Sequence, residues 1–130
     1  MNILGTMRMK IGSDTFLGHQ VLIVGGNSNI VIGSNVDIGP RTVIASGTHL
    51  VDMEGPNSAG EGISLDISIE DGVWIGANST ILGGVTIGKK AVIGAGSVVN
   101  NNIPRQVIAV GNPCKPIRKW NAHEKIWENL

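Results

Sequence analysis

The sequence of 130 residues contains no tyrosine, one phenylalanine and one cysteine, and its Lys+Arg and Asp+Glu counts are both 10. Each shortage excludes something. A lone cysteine, Cys114, permits no intrachain disulfide framework. Balanced charge and a sequence pI near 6.8 leave no basic field for a nucleic-acid backbone or an anionic membrane surface. No apolar run approaches the length that crosses a bilayer. The opening residues, Met1 to Lys10, show neither a long apolar stretch nor a small-residue cleavage site. The expected setting is therefore the cytoplasm, with no nucleic-acid partner and no membrane insertion. Aromatics make up 3% and apolar residues 42%, so the core must be built from Ile, Val, Leu and Ala, and the length suits a single domain over 1–130.

Glycine is abundant instead. There are 19, about twice the ordinary share, with no collagen period and no low-complexity run, which points to many tight corners. The internal repeat explains them. Aliphatic residues recur every six positions at Ile69, Ile75, Ile81, Ile87, Ile93 and Val99, and upstream at Ile32, Ile38 and Ile44 and at Ile11, Leu17 and Ile23. Most are followed by Gly, and a second small or β-branched residue comes four positions after each: Val36, Thr42, Val73, Ser79, Val85, Ala91, Ser97. Six matches neither the helical nor the heptad period, and β-formers dominate, so each hexad reads as a short strand plus a corner. The pattern is that of a parallel β-helix with inward aliphatic ladders. About twelve hexads give about four triangular coils and a prism only about 20 Å tall, a thin core that favours a homo-oligomer.

Two interruptions break the phase. Three extra residues fall between Ile23 and Ile32, around Gly25-Gly26-Asn27, and about thirteen beyond one hexad fall between Ile44 and Ile63. The expected organisation is N-terminal coils over 11–49, an extruded active-site loop over 50–62, C-terminal coils over 63–103, and a terminal turn with a capping helix over 104–130. In that helix Ile117, Trp120, Ile126 and Trp127 would share one face.

The stretch Asp71-Gly72-Val73-Trp74-Ile75-Gly76-Ala77-Asn78-Ser79-Thr80-Ile81, continued by the hexads to Val99 and closed by Gly111-Asn112-Pro113-Cys114-Lys115-Pro116-Ile117-Arg118, resembles the hexapeptide-repeat acyltransferases, among them the galactoside and maltose O-acetyltransferases. The resemblance covers roughly residues 11 to 118. It implies an all-β, left-handed parallel β-helix, a homotrimer, and acyl transfer from acetyl-CoA to a hydroxyl of a sugar or polysaccharide at sites between subunits. It also implies roles: His49 as catalytic base, Glu61 as a catalytic partner that orients His49 or binds the acceptor, and Asp52 as a weaker candidate. Trp74, Gly76, Ala77, Gly94 and Ala95 match the wall that holds the donor, while Lys115 and Arg118 match the cations for its nucleotide phosphates. His19 and Asn27 fall where relatives present Asn and Asp to the acceptor. Asn100-Asn101-Asn102 departs from a common Thr-Lys-Asp and removes a cation, for which Lys89, Lys90 and Arg105 are candidate substitutes. No metal is expected.

The residues alone leave other readings open. His49 at a loop edge, Glu61 as a solvated carboxylate and glycines required by corner geometry are all ordinary features of a solenoid. The same scaffold supports N-acylation of an amino sugar, or a silent binding module. A zinc hydratase would need three suitably spaced histidines, which His19, His49 and His123 do not offer. An ice-binding solenoid would need flat Thr ladders, which are absent.

Overall fold

The computed structural model describes residues 1–130 as strands and turns with no helix. The repeat builds a triangular prism with three strand-lined faces. Face 1 stacks Asn2–Gly5, Leu22–Gly25, Val43–Ala45, Thr80–Leu82 and Val98–Val99; face 2 stacks Arg8–Ile11, Asn29–Ile32, Ile67–Ile69 and Thr86–Ile87. Face 3 stacks Phe16–Leu17, Asp37–Ile38, Trp74–Ile75, Val92–Ile93 and Val107–Gly111, then extends through Cys114–Asn121 and Ile126–Asn129. The first five strands of face 3 pair in parallel, as do all those of faces 1 and 2.

The register shows why the period is six. Ile69 pairs with Ile87, Ile75 with Ile93 and Ile81 with Val99, so 18 residues, or three hexads, close one coil. Ile23, Ile38, Ile44, Ile69, Ile75, Ile81 and Ile87 are wholly buried, and each stacks on its counterpart in the next layer. Complete burial of such a side chain stabilises by about 1.5–3 kcal/mol. Corners carry the conformational cost. The third residue after most ladder aliphatics adopts positive φ, namely Asp14, Gln20, Asn35, Arg41, Asn78, Lys90 and Gln106 as well as Gly72, Gly84 and Gly96; the exceptions, Gly26, Gly47 and Asn102, all follow face 1 strands at the corner toward face 2. Left-handed backbone costs a non-glycine residue about 1–2 kcal/mol, and here it is imposed by coil geometry. Where a glycine follows the aliphatic, close stacking of the next coil gives another reason for it. A Cβ on Gly39 would lie 2.6 Å from the Ala77 amide nitrogen, and one on Gly76 would lie 2.5 Å from that of Ala95.

Both insertions into the repeat leave the prism at one corner. Ile11 pairs with Ile32 and Ile23 with Ile44, an offset of 21, whereas Ile32 pairs with Ile69 and Ile44 with Ile81, an offset of 37. The extra residues emerge where face 1 turns into face 2, first as the Gly25–Ser28 bulge and one coil later as an antiparallel hairpin, Gly47–Val51 against Ala59–Ser64. The expected loop over 50–62 is therefore longer and ordered. Ile63 does not start a coil: it pairs with Thr48 in the hairpin, and the ladder resumes at Ile67 and Ile69.

The expected C-terminal helix is absent. Pro116 is unsuited to a helix interior, and the Val107–Gly111 strand offers an open edge, so Cys114–Asn121 pairs back along it and Ile126–Asn129 follows. Trp120 and Trp127, seven apart, would share a helix face; instead they sit opposite one another across a four-residue turn. The antiparallel strands seal the C-terminal end, where Cys114 and Ala109 are buried. The first coil leaves Ile3, Ile11 and Phe16 exposed.

Ile81→Ala empties a central ladder position and is expected to cost about 2–5 kcal/mol in denaturant unfolding, while Thr86→Ala on an exposed site stays within about 0.5 kcal/mol.

Candidate functional site

Because the bulge and the hairpin leave the same corner one coil apart, their residues form one groove. It has a volume of about 460 Å³ and is lined by Gly25, Gly26, Asn27, Gly47, Thr48, His49, Gly62, Ile63 and Ser64. The Gly26 amide donates to Ser64 Oγ at 3.0 Å, tying bulge to hairpin, and beneath them the Ser28 hydroxyl donates to Ser46 Oγ at 2.8 Å in the core.

His49 stands opposite Gly62 in the hairpin, and a Cβ on Gly62 would lie 3.8 Å from the imidazole Cε1, an ordinary van der Waals contact. His49 Nδ1 lies 3.0 Å from the Gly60 carbonyl oxygen. A carbonyl only accepts, so this bond requires the proton on Nδ1, and in the neutral ring Nε2 is then the nitrogen with the lone pair. The arrangement suits a general base. Glu61, exposed on the Gly60 strand, makes no hydrogen bond to His49, whose ring contact is the Gly60 carbonyl. Asp52 turns the hairpin instead, accepting from the amides of Gly55 and Glu54 at 2.9 Å each. Those bonds, Gly55 first, hold its carboxyl below the ordinary range.

Asn27, exposed on the groove, has its side-chain oxygen engaged by Arg8 Nη1 at 3.1 Å, while Arg8 Nε donates to Asn29 at 2.9 Å. Sequence reasoning missed Arg8, and nothing in the hexad pattern marks it. The two insertions follow Ile23 and Ile44, three ladder steps apart by way of Ile32 and Ile38, which is one full coil and so the same corner.

A second group of candidate residues lies elsewhere on the prism. Gly76, Ala77, Gly94 and Ala95 stack at the corner where face 3 turns into face 1, and His19 occupies the same corner in the first coil. The Gly76 and Gly94 carbonyls are taken by the hydroxyls of Ser79 and Ser97, at 2.9 and 2.6 Å. The amides of Ala77 and Ala95, one coil apart, donate to nothing in the chain. Trp74 points outward from face 3 and is 54% exposed. Register carries its column through Val92 and Ile108 to Arg118, three strands along, with Lys115 on the same terminal strand opposite Val110. Three strand spacings put Trp74 and Arg118 about 14 Å apart. His49 and Asn27 thus share one corner, His19 and the Trp74–Arg118 group another, and face 1 separates them.

Lys89, Lys90 and Arg105 do not join the second group. They belong to the third corner, between faces 2 and 3, beside Glu70 and Asp71. Cys114 is buried, which pushes its thiol up, against the opposing effect of the Ser97 hydroxyl hydrogen bond. A protonated thiol is a poor nucleophile. His123 sits in the terminal turn beside Glu124, and no three of the His, Cys, Asp and Glu side chains gather as a metal-binding group. No helix is long and apolar enough to cross a membrane.

Residues 66–101 match the family model described as bacterial transferase hexapeptide (six repeats). A hexapeptide-repeat acetyltransferase of Vibrio cholerae, solved with acetyl-coenzyme A, is 34% identical with a TM-score of 0.81, over 92% of this chain and 71% of that one. The chain belongs to the hexapeptide-repeat acyltransferase family. A maltose O-acetyltransferase of Clostridium difficile is 35% identical with a TM-score of 0.77, over 91% of this chain and 66% of that one. The galactoside O-acetyltransferase of Escherichia coli is 40% identical over 117 residues, 90% of this chain and 57% of that enzyme. The chain spans about half the length of the curated relatives it matches. With these family members it shares the left-handed parallel β-helix.

The more acidic folded carboxyl of Asp52 holds its turn from neutral pH downward and releases it only as pH falls through a value below the ordinary carboxylate range. Asp52→Ala is expected to speed hydrogen exchange at the Glu54 and Gly55 amides at pH 7, leaving the Ile ladders protected as before.

Proposed function

We propose that the protein transfers an acetyl group from acetyl-CoA to a hydroxyl of a sugar or polysaccharide, with His49 as general base in a site completed by a neighbouring subunit. The observation that carries this reading is the Nδ1 bond to the Gly60 carbonyl, which leaves His49 Nε2 as a proton acceptor in an open groove beside Asn27.

In the proposed step, Nε2 takes the acceptor hydroxyl proton as its oxygen attacks the thioester carbonyl. The C–S bond of the tetrahedral intermediate then breaks, and the imidazolium protonates the departing thiolate. The products are the acetyl ester and free coenzyme A, with no covalent enzyme intermediate. The buried, protonated Cys114 is not offered as a nucleophile. Ala77 and Ala95 present two free amides at coil spacing, suited to carbonyls of the donor's pantetheine arm, with Gly76 and Gly94 keeping side chains out of its way. Trp74 would flank the reactive end, and Lys115 and Arg118 would hold the nucleotide phosphates. Asn27 and His19 are the acceptor contacts proposed from the two sides of the site; Glu61 is left with an acceptor contact, not an orienting one.

The two residue groups lie at opposite ends of face 1, whose outward columns are Leu22, Val43, Thr80, Val98 and Leu4, Val24, Ala45, Leu82. Three copies that turn this apolar face toward a common axis would bring the His49 corner of one against the Ala77 corner of the next. A homotrimer therefore explains both the apolar face and the separation.

His49→Gln is expected to lower acetyl transfer by about 10²–10⁴-fold in an acceptor screen containing both hydroxyl and amine sugars, with coenzyme A binding retained. Arg118→Ala, or dephospho-coenzyme A in place of coenzyme A, is expected to weaken donor binding by calorimetry. Full activity in His49→Gln, or no coenzyme A binding at millimolar concentration, would overturn the reading; transfer to amines alone would move it to N-acylation.

A further inference from the structure

The C-terminal hairpin builds a second cleft, at the corner between faces 2 and 3, away from the His49 groove and from the Gly76–Ala95 corner. Its volume is about 370 Å³ and its lining is Lys90, Gln106, Trp120 and Trp127. The strand register sets Trp120 opposite Trp127, with ring centroids 5.2 Å apart and planes at 61°. The Trp120 amide donates to the Gln106 carbonyl, which fixes the pair against the prism corner. An edge-to-face pair leaves indole face uncovered, and Trp127 keeps 38% of its surface exposed.

The two polar residues are equally fixed. Lys90 and Gln106 both occupy positive-φ corner positions, so their backbones are set by the coil. The Lys90 stem runs over Gly72, where a Cβ would come within 2.8 Å of Lys90 Cδ. Its ammonium has no carboxylate partner, since the chain's single ion pair joins His123 and Glu124. The Gln106 side-chain amide makes no hydrogen bond within the chain. The cleft therefore offers a flat aromatic face, an unused amide with one donor side and one acceptor side, and an unpaired cation.

An adenine nucleotide uses all of these. A purine stacks on indole. A glutamine amide pairs with two points on the adenine edge, N6 and N7. An ammonium binds phosphate as a point charge. A simple anion or an unsubstituted ring would use only part of the lining. We propose that this cleft binds an adenine nucleotide, with the base against Trp120 and Trp127, its edge on Gln106 and a phosphate on Lys90. The nucleotide has two possible sources: the adenosine phosphate end of coenzyme A, or a free nucleotide. Arg118 lies two residues before Trp120 on one strand, hence on the same face. Only the assignment to the donor rests on the transferase reading above; nucleotide binding itself does not.

In a Trp74→Phe background, tryptophan fluorescence reports on Trp120 and Trp127 alone. Titration with adenosine 3′,5′-bisphosphate, 5′-AMP and coenzyme A is expected to quench it saturably, with 5′-UMP and glucuronate as weak controls. Trp120→Ala is expected to weaken binding about 5–150-fold, the range that base stacking on aromatic side chains spans. Lys90→Met and Gln106→Met keep the unbranched stems, so the strain at those corners is unchanged, and each is expected to weaken it about tenfold or more. These two variants keep the test decisive if Trp120→Ala folds poorly by circular dichroism. Quenching by coenzyme A, with a raised KM for acetyl-CoA and retained kcat in Lys90→Met, supports the proposal and names the donor as source. Quenching by 5′-AMP without competition from coenzyme A supports it with a free nucleotide. Adenine-nucleotide binding without any acetyl transfer leaves it standing while the transferase reading fails. No quenching at millimolar nucleotide, or equal quenching by glucuronate or 5′-UMP, overturns it.

Discussion

Ile75 rests on Ile38 and carries Ile93, and this vertical contact, repeated on three faces, is the constraint from which the other features of the chain follow. Coils can stack only if their backbones approach to strand spacing all the way round, corners included. At the corners that stack directly on a neighbouring coil this forces a small residue after the aliphatic, as at Gly39 and Gly76, and at most corners left-handed backbone three places on, even where Arg41, Lys90 or Gln106 must adopt it. Inward hydroxyls are tolerated because they find hydrogen-bond partners, as Thr42 and Ser79 do on the Gly76 carbonyl and Ser46 does with the Ser28 hydroxyl. The chain thereby folds with few aromatic residues and a core of uniform aliphatic layers.

Such a scaffold has little freedom to build a site. Outward side chains on the faces are set in flat columns, and the corners are packed backbone against backbone. The freedom is at the corner between faces 1 and 2, where residues can be added without moving a ladder: the offsets of 21 and 37 change the coil length but leave Ile23, Ile44 and Ile81 in one stack. The chain uses that corner twice in succession, and the groove holding His49 and Asn27 results. The carbonyl that orients the imidazole also comes from the inserted hairpin.

The other two corners keep the repeat and behave differently. One offers unpaired amides from successive coils, a regular feature that a long ligand can follow along the prism axis. The remaining corner becomes distinctive only where the chain folds back as antiparallel strands, bringing two indoles to positions that the hexad itself supplies with Lys90 and Gln106. Regular stacking and terminal irregularity thus make different kinds of surface from one repeat.

Much of this was legible in the residues. The period of six, the frequent Gly at the corners and the β-branched bias point to a parallel coil of short strands with inward aliphatic ladders, and the register closes it with three hexads. His49, beside the longer interruption, was likewise visible as a candidate. Other features depended on contacts that the sequence does not encode by spacing. Trp120 and Trp127, seven apart, satisfy a helix face as well as a hairpin pair, and the open edge of Val107–Gly111 decides for the hairpin. Glu61 is near His49 in sequence, yet the pairing of His49 with Gly62 turns the Gly60 carbonyl toward the ring. His19 and Asn27 are eight residues apart but stand on different corners, because a third of a coil separates them. Periodicity alone determined which residues face the core; which outward residues meet was decided by the coil's rotation and its unpaired edges, which exist only once the chain is wound.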